Sequence, residues 1–350
     1  MVLFPLFMRT GGSLSMPFLA DQWTALLKNP LSGLILRLFF SLLLLFSVLR
    51  SIDFVVLNGI IAAVHPLWFV LSVLCLLLYD IFASFRWKLI LNAFACDASF
   101  LVLLRYHMLS VSVGALLPTT VGGDFARAYL AASKGRGGLR AALTVVLDRL
   151  TGLFSLLFLA ALGLILEGYK LFGHLFAYSF AFLMFSLVII SFVCLSSAVL
   201  RRLFPLIWHF FVIFRLVSSS SPSQKVPPIS YSFAFWPFAF AQLVGVLAHF
   251  LVVLEHWFLV ISLSSSVDLG HLFWIVPAVW LFTLVPVGVN GIGTRELGMA
   301  FFLGAIGETR EIAVALGFLV TISNFLTAII GGVFYVIPLD GEIRPLSSKS

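Results

Sequence analysis

Six charged residues stand in this chain where long apolar sequence surrounds them: Asp124 and Arg127, Asp148 and Arg149, Arg295 and Glu296. Arginines set in low-dielectric surroundings attract phosphate, because charge-assisted hydrogen bonds are strongest where water is scarce. The acids would hold those arginines in place or recognise a cationic group. Asp148-Arg149 is the most telling pair, since it lies about two turns inside an apolar run. A charge at the centre of a span costs about 2.5–3.5 kcal/mol on insertion scales. Neighbouring residues of a helix point about 100° apart, so these two cannot fully neutralise each other. At least one should find a partner elsewhere, with Asp124, Arg127, Arg295 and Glu296 as candidates. Two outcomes are open: a salt bridge knitting segments together, or a charged cavity that binds a polar headgroup.

The segments that carry these charges repeat one arrangement. The first runs Leu116-Leu117-Pro118-Thr119-Thr120-Val121-Gly122-Gly123-Asp124-Phe125-Ala126-Arg127, and the second Leu284-Val285-Pro286-Val287-Gly288-Val289-Asn290-Gly291-Ile292-Gly293-Thr294-Arg295-Glu296. In both, a leucine precedes the proline by two residues, a glycine follows it by five and an arginine by nine. Pro118 removes a backbone donor and Gly122-Gly123 permits positive φ, so the chain can turn there. Amides freed at the start of the following helix form an anion site, and Arg127 lies one turn beyond Asp124. The plainer alternative makes Asp124 an N-cap. In the second copy Asn290-Gly291-Ile292-Gly293 is the flexible stretch, Thr294 a cap and Arg295 the cation. Two broken segments in matching order point to a polar site between membrane repeats.

Other polar groups carry less. Arg86-Trp87-Lys88 follows a span and fits an aromatic belt with a cytoplasmic anchor; Asp80 lies between one and two turns earlier. Glu255-His256, with His249 nearly two turns before it, lies toward the outer end of a span, where placement at the membrane interface is the plainer reading and a proton relay the alternative. No His, Asp or Glu grouping has metal-ligand spacing, and neither a phosphate-cradling Gly-Lys-Ser/Thr loop nor a nucleophile elbow is present. No catalytic residue, metal or cofactor is therefore expected. Cys75 and Cys194 fall inside apolar runs as small apolar residues, and Cys96 has no paired spacing with them.

Composition sets the elements that must position these residues. Of 350 residues 62% are hydrophobic and 10% charged, whereas soluble domains carry about 25% charged residues. The hydrophilic interruptions, near 122–140 and 218–230, are too short for a catalytic domain, which needs about 50 residues or more. The excess of 21 Lys+Arg over 14 Asp+Glu is explained by the positive-inside rule and anionic lipid, not by nucleic acid. Apolar runs mark spans near Leu34–Leu49, Leu67–Phe85, Ala141–Leu166, His174–Leu200, Phe233–Leu263 and Ile312–Ile337. Two shorter runs, Phe100–Leu117 and Leu272–Pro286, lead into the two motifs. Leu203–Val217, flanked by Arg201, Arg202 and Arg215, suits an interfacial or re-entrant helix.

Charge then orients the chain. Arg86 and Lys88, then Lys134, Arg136 and Arg140, then Arg201, Arg202, Arg215 and Lys225 form clusters that belong on the cytoplasmic side. If all do, Phe100–Leu117 enters from the cytoplasm and turns back at Pro118–Gly123. Three crossings separate the motifs, so the second enters from the opposite face. The fold class expected is all-α: a polytopic integral membrane protein of about six to eight transmembrane helices, with two re-entrant segments forming an inverted repeat. In the alternative both short runs cross fully.

Four motifs together carry a resemblance: Pro118-x-x-x-Gly122-Gly123-Asp124-x-x-Arg127, Asp148-Arg149-x-x-Gly152, Asn290-Gly291-x-Gly293-x-Arg295-Glu296 and Gly331-Gly332. In this order they resemble the membrane region of lysylphosphatidylglycerol synthetases and its stand-alone bacterial and archaeal relatives, over about residues 31–338. Arg86-Trp87 fits the same pattern, while Asp148 stands where glutamate is commoner. The resemblance implies a lipid-handling role: in the fused proteins this region is associated with moving aminoacylated phosphatidylglycerol between leaflets. A separate soluble domain makes that lipid, and this sequence has no such stretch, so lysyltransferase activity is not expected. The organisation implied is a cytoplasmic segment over 1–30, a flippase-like membrane domain over 31–338 and a disordered tail over 339–350, in a bacterial inner membrane. The expected partner is a membrane lipid with a phosphate-bearing headgroup, with a lipid-modifying enzyme as a second candidate and no nucleic acid. The expected binding residues are Pro118, Gly122, Gly123, Asp124, Arg127, Asp148, Arg149, Asn290, Gly291, Gly293, Arg295 and Glu296. A membrane-embedded transferase acting on a lipid-linked substrate and a scaffold for a lipid-modifying enzyme are the competing classes.

Overall fold

A computed structural model describes residues 30–50, 52–94, 96–116, 122–133, 138–194, 235–284, 290–336 and 344–345. Pro118, Pro286, the Leu203–Val217 run and the basic residues Lys134, Arg136, Arg201, Arg202, Arg215 and Lys225 lie outside them, as do the segment 1–29 and most of the tail.

The described chain is helical apart from one two-residue strand pair. Helices α1 (Pro30–Leu49) and α2 (Phe54–Ala62) open it, and Asp53 caps α2 by accepting from the Val55 and Val56 amides at 2.8 and 3.3 Å. Helix α3 (Pro66–Ala93) starts on a proline, whose missing N–H costs nothing at that position. Its 28 residues reach about 42 Å, more than the ~30 Å of hydrocarbon it must cross. Strand β1 (Cys96–Asp97) pairs antiparallel with β2 (Arg344–Pro345). Then follow α4 (Phe100–Leu116), α5 (Gly122–Ser133) and α6 (Gly138–Gly163), the last extended by a π-helical turn (Leu164–Gly168) and α7 (Tyr169–Phe172). Helices α8 (His174–Cys194), α9 (Phe235–Ser262), α10 (Leu269–Thr283), α11 (Thr294–Ala305) and α12 (Arg310–Val336) complete it.

Among the described residues four helices are long and apolar enough to cross a membrane: 66–93, 141–172, 236–262 and 310–336, or five if the bent pair α1–α2 is one span. The short helix α2 was not expected from the apolar runs. With 17 and 15 residues, α4 and α10 are shorter than a full crossing. Large apolar side chains such as Leu42, Phe46, Leu175, Phe182, Phe301 and Val333 face outward, as a lipid solvent requires.

The repeat extends far beyond the two motifs. Leu116 and Leu284, Pro118 and Pro286, Gly123 and Gly291, and Arg127 and Arg295 each stand 168 positions apart. The same offset carries α3–α4–α5–α6 onto α9–α10–α11–α12 to within a few residues. Packing is reciprocal: α5 lies on α6 and α11 on α12, whereas α4 packs on α12 and α10 on α6. Each exchanged contact is closed by a glycine of the same register. A Cβ on Gly163 would stand 2.5 Å from the Trp274 nitrogen, and one on Gly331 2.7 Å from the Met108 carbonyl.

Helices α3 and α9 form the central pair of this exchange. They run antiparallel, since Trp68 meets Phe258, Tyr79 meets His249 and Phe85 meets Phe240. The largest apolar core lies chiefly among α6, α9, α10, α11 and α12.

Candidate functional site

The two glycine motifs fold differently. Gly122 and Gly123 are helical, the first residues of α5, so the expected left-handed turn is not at these glycines. Gly123 is needed for closeness instead: a Cβ there would stand 2.1 Å from the Ser110 carbonyl. The start of α5 thus lies directly on α4. In the second copy Asn290, Gly291 and Gly293 do adopt positive φ, at 51°, 80° and 85°. Glycine and asparagine tolerate this region best.

Asp124 is the third residue of α5, inside its first turn and not at its cap. Its carboxylate accepts from Arg149 Nε at 2.6 Å and from Arg127 Nη2 at 3.5 Å. Asp148 accepts from Arg127 Nη2 at 3.0 Å and from Arg86 Nε at 2.7 Å. The adjacent pair Asp148-Arg149 therefore does divide its attention. Asp148 looks to α3 and α5, Arg149 to α5, and neither is paired with Arg295 or Glu296.

Arg127, only 1% exposed, is the hub. Beyond its two carboxylates it donates from Nη1 to His107 Nδ1 at 3.0 Å, and its guanidinium lies 4.8 Å from the centre of the Trp87 ring. Because His107 Nδ1 accepts that bond, its proton sits on Nε2, which donates to Asp80 at 3.1 Å. Trp87 is fixed by donating its indole N–H to Thr144 at 2.8 Å. Asp80, His107, Arg127, Asp148 and Arg86 thus form one continuous buried chain, with Asp124 and Arg149 attached at Arg127. Such networks survive in low dielectric only when nearly every lone pair and proton is used.

Arg86 corrects the sequence reading. It is 3% exposed and paired with Asp148, not an interfacial anchor. Space for its side chain comes from Gly152 and Gly245, where an added Cβ would come within 3.2 and 3.3 Å of it. Gly152 follows Asp148 by one turn, which gives the Asp-Arg-x-x-Gly spacing a steric reason. Glu255 and His256 also depart from expectation: both are buried and line the central cavity, not the outer end of a span. Asp80, Trp87 and His107 gave weak signals or none. The spacing of His107, Ser110 and Gly114 along a mostly apolar helix was the readable one.

The second copy contributes differently. Arg295 Nη1 donates to Thr321 at 2.8 Å, and among the described residues no carboxylate stands within ion-pair distance of it. Glu296 is fully buried and accepts from the Gly293 amide at 2.7 Å, capping α11. It also accepts from Thr321 at 3.3 Å. Glu296, Gly122 and Gly293 do not reach the cavity, whereas Gly123, Asp124, Arg127, Asp148, Arg149, Asn290, Gly291 and Arg295 do.

That cavity, about 390 Å³, is lined from all eight helices of the two repeat units. Its size falls in the range of small-ligand sites. Four arginines (Arg86, Arg127, Arg149, Arg295) and four acids (Asp80, Asp124, Asp148, Glu255) line it, beside Asn324, Thr283 and Thr327 and an apolar wall that includes Leu76, Val279 and Trp280. Arg149 keeps 49% of its side chain exposed, so among the first unit's arginines that line the cavity it is the accessible one. Among the described residues no group of His, Cys, Asp and Glu is placed to hold a metal.

No curated protein and no solved structure matches the sequence. A family model does match, over residues 34–332, and its description is the lysylphosphatidylglycerol synthase TM region. The match takes in both repeat units but for the last turn of α12, and every residue of the charged cavity, so this multi-pass membrane chain belongs to the lysylphosphatidylglycerol synthase TM region family.

Proposed function

We propose that the protein binds the phosphate-bearing headgroup of a membrane lipid in this cavity and carries it between leaflets. The observation that carries the reading is the division of labour among the arginines. Arg86 and Arg127 are held inside the network, while Arg149 is half exposed and the side chain of Arg295 has, among the described residues, only a neutral hydroxyl partner. An anionic headgroup placed between the two accessible guanidinia would gain charge-assisted bonds from both repeat units at once. Asp124 and the Arg127 hub position Arg149; Glu296 and Thr321 position the backbone and side chain of Arg295. The apolar wall suits the first carbons of the acyl chains.

Movement would follow from the repeat. Alternating access is a common use of repeats related by inversion, with the site held at their interface. The antiparallel run of α3 against its counterpart α9 supports that relation, as does the exchange of α4 and α10 between units. Labelling of single cysteines placed at Thr120 and Val289 tests it: reaction of both from the same side of the membrane overturns the inverted arrangement.

The transport reading is tested with purified protein in liposomes and a labelled phospholipid. Transfer between leaflets is expected for the wild type. Arg149→Ala and Arg295→Ala should each slow it about tenfold or more, the worth of one charge-assisted bond. Absence of transfer for several bacterial lipids, with the protein folded, overturns the reading.

A further inference from the structure

Among the acids that line the cavity, Glu255 alone has no hydrogen-bond donor among the described residues. Asp80 has His107, Asp124 has Arg149, and Asp148 has both Arg86 and Arg127. Glu255 is 0% exposed, and neither carboxylate oxygen has a hydrogen-bond partner among the described residues. His256 Nδ1 lies beside Oε2. Its proton, however, is directed to the Val252 carbonyl, 2.9 Å away. The cavity lining includes the apolar Leu76, Val252 and Val279, which offer a carboxylate nothing. A carboxylate buried without a donor lacks the partner that burial of a charge requires.

The surrounding charges say when a proton on that carboxylate matters. From α3, Tyr79 lines the cavity and Cys75, outside the lining, lies within the field of Glu255, with Asp80 and Arg86 already engaged in the network. From α6 come Asp148 and Arg149, bound to their own partners, while α10 and α12 add no titratable lining residue. His107 on α4 and Asp124 and Arg127 on α5 are likewise held in the network, and His249 on α9 accompanies His256. Arg295 from α11 lies within the field of Glu255 without bridging to it.

We infer that Glu255 is a proton-binding site linked to the headgroup site, so that an anionic lipid is carried together with one proton. The inference rests on the lipid reading above. With Glu255 ionised, four acids oppose four arginines, and an incoming phosphodiester leaves the cavity one charge negative in low dielectric. With Glu255 protonated, the same anion restores balance. The step is an equilibrium: the carboxylate takes a proton from water on the side where lipid loads and returns it where lipid leaves. No bond other than O–H forms or breaks. Linkage makes the coupling reciprocal: a lower pH tightens binding of the anion, and the anion draws in the proton.

The test is binding of short-chain phosphatidylglycerol to detergent-solubilised full-length protein, from mildly acidic to mildly alkaline pH. Wild type should weaken about tenfold across that range, within the usual span of coupled sites. Glu255→Gln should stay near the acidic wild-type affinity at every pH, and short-chain phosphatidylcholine, which carries no net charge, should show no slope. In weakly buffered solution the wild type should take up about one proton per phosphatidylglycerol bound at alkaline pH, a measurement that does not depend on the variant folding. Binding with no proton uptake, or a pH slope retained in Glu255→Gln, overturns the inference and leaves the lipid reading standing. No binding at any pH overturns both.

Discussion

The two repeat units share a backbone and differ in chemistry. Carried across by 168 positions, Asp80 corresponds to Ala248, Arg86 to Leu254, His107 to Ile275, Asp124 to Ile292, Asp148 to Leu316 and Arg149 to Gly317. Of the network in the first unit, only Arg127 keeps its chemical type, as Arg295. The replaced positions are buried too: Ala248, Ile275 and Leu316 have no exposed surface. The helix lengths, the breaks and the two close glycine contacts therefore need only apolar side chains, proline and glycine. The charges are an addition to the scaffold, concentrated in one half. Since burying ion pairs costs several kcal/mol per ion before partners repay it, a cavity shared by two units needs such a network in only one of them. The second unit then supplies an arginine, Arg295, held by a neutral partner, and the acid Glu255 without a hydrogen-bonded cation.

The largest effect should come from making the first unit like the second. Asp148→Leu installs the residue that the other unit has, but strands Arg86 and Arg127 in the interior. A loss of about 3–5 kcal/mol is expected, the cost of removing one partner from a buried charge cluster. Thermal unfolding in detergent measures it, and an unchanged midpoint would mean the network is not a stabilising unit. Replacing Asp148, Arg86 and Arg127 together by apolar residues should recover much of that stability, yet leave Arg149 unpositioned and lipid transfer slow. Next in size, Gly163→Leu and Gly331→Leu should each cost about 1–3 kcal/mol by overpacking. Equal effects at the two sites support the exchange symmetry, and a cost at one alone would break it. Smaller still, Trp87→Phe keeps a ring beneath Arg127 and removes the bond to Thr144, for about 1 kcal/mol. Last, Arg295→Lys should leave stability within about 0.5 kcal/mol while weakening lipid transfer, because lysine cannot reproduce the guanidinium fork. A large stability loss there would make Arg295 a structural residue of the second unit.

Much of the scaffold was legible in the sequence, because apolar run length and helix breakers act locally. The short helices α4 and α10 end close to where the proline and glycine spacing put their ends. The site was legible only in part. Asp124, Arg127, Asp148 and Arg149 were found because charges in apolar sequence are costly enough to need a reason. Arg86 and Glu255 were misplaced because a charge near the end of an apolar run looks the same whether it snorkels to the interface or turns inward. Gly152 and Gly245 decide that for Arg86, and they lie on α6 and α9, far from it in sequence.

The sequence by itself determined the membrane class, the family and the doubling of the proline–glycine–arginine segment, since composition and local spacing are properties of the chain alone. Tertiary structure decided which charges meet, that the network stays within the first unit, and that Arg149 and Arg295 are left facing a common cavity. Those outcomes depend on the directions of side chains across helix contacts. Such directions are set by close approaches such as Gly123 on Ser110 and Gly163 on Trp274, which no spacing along the chain encodes.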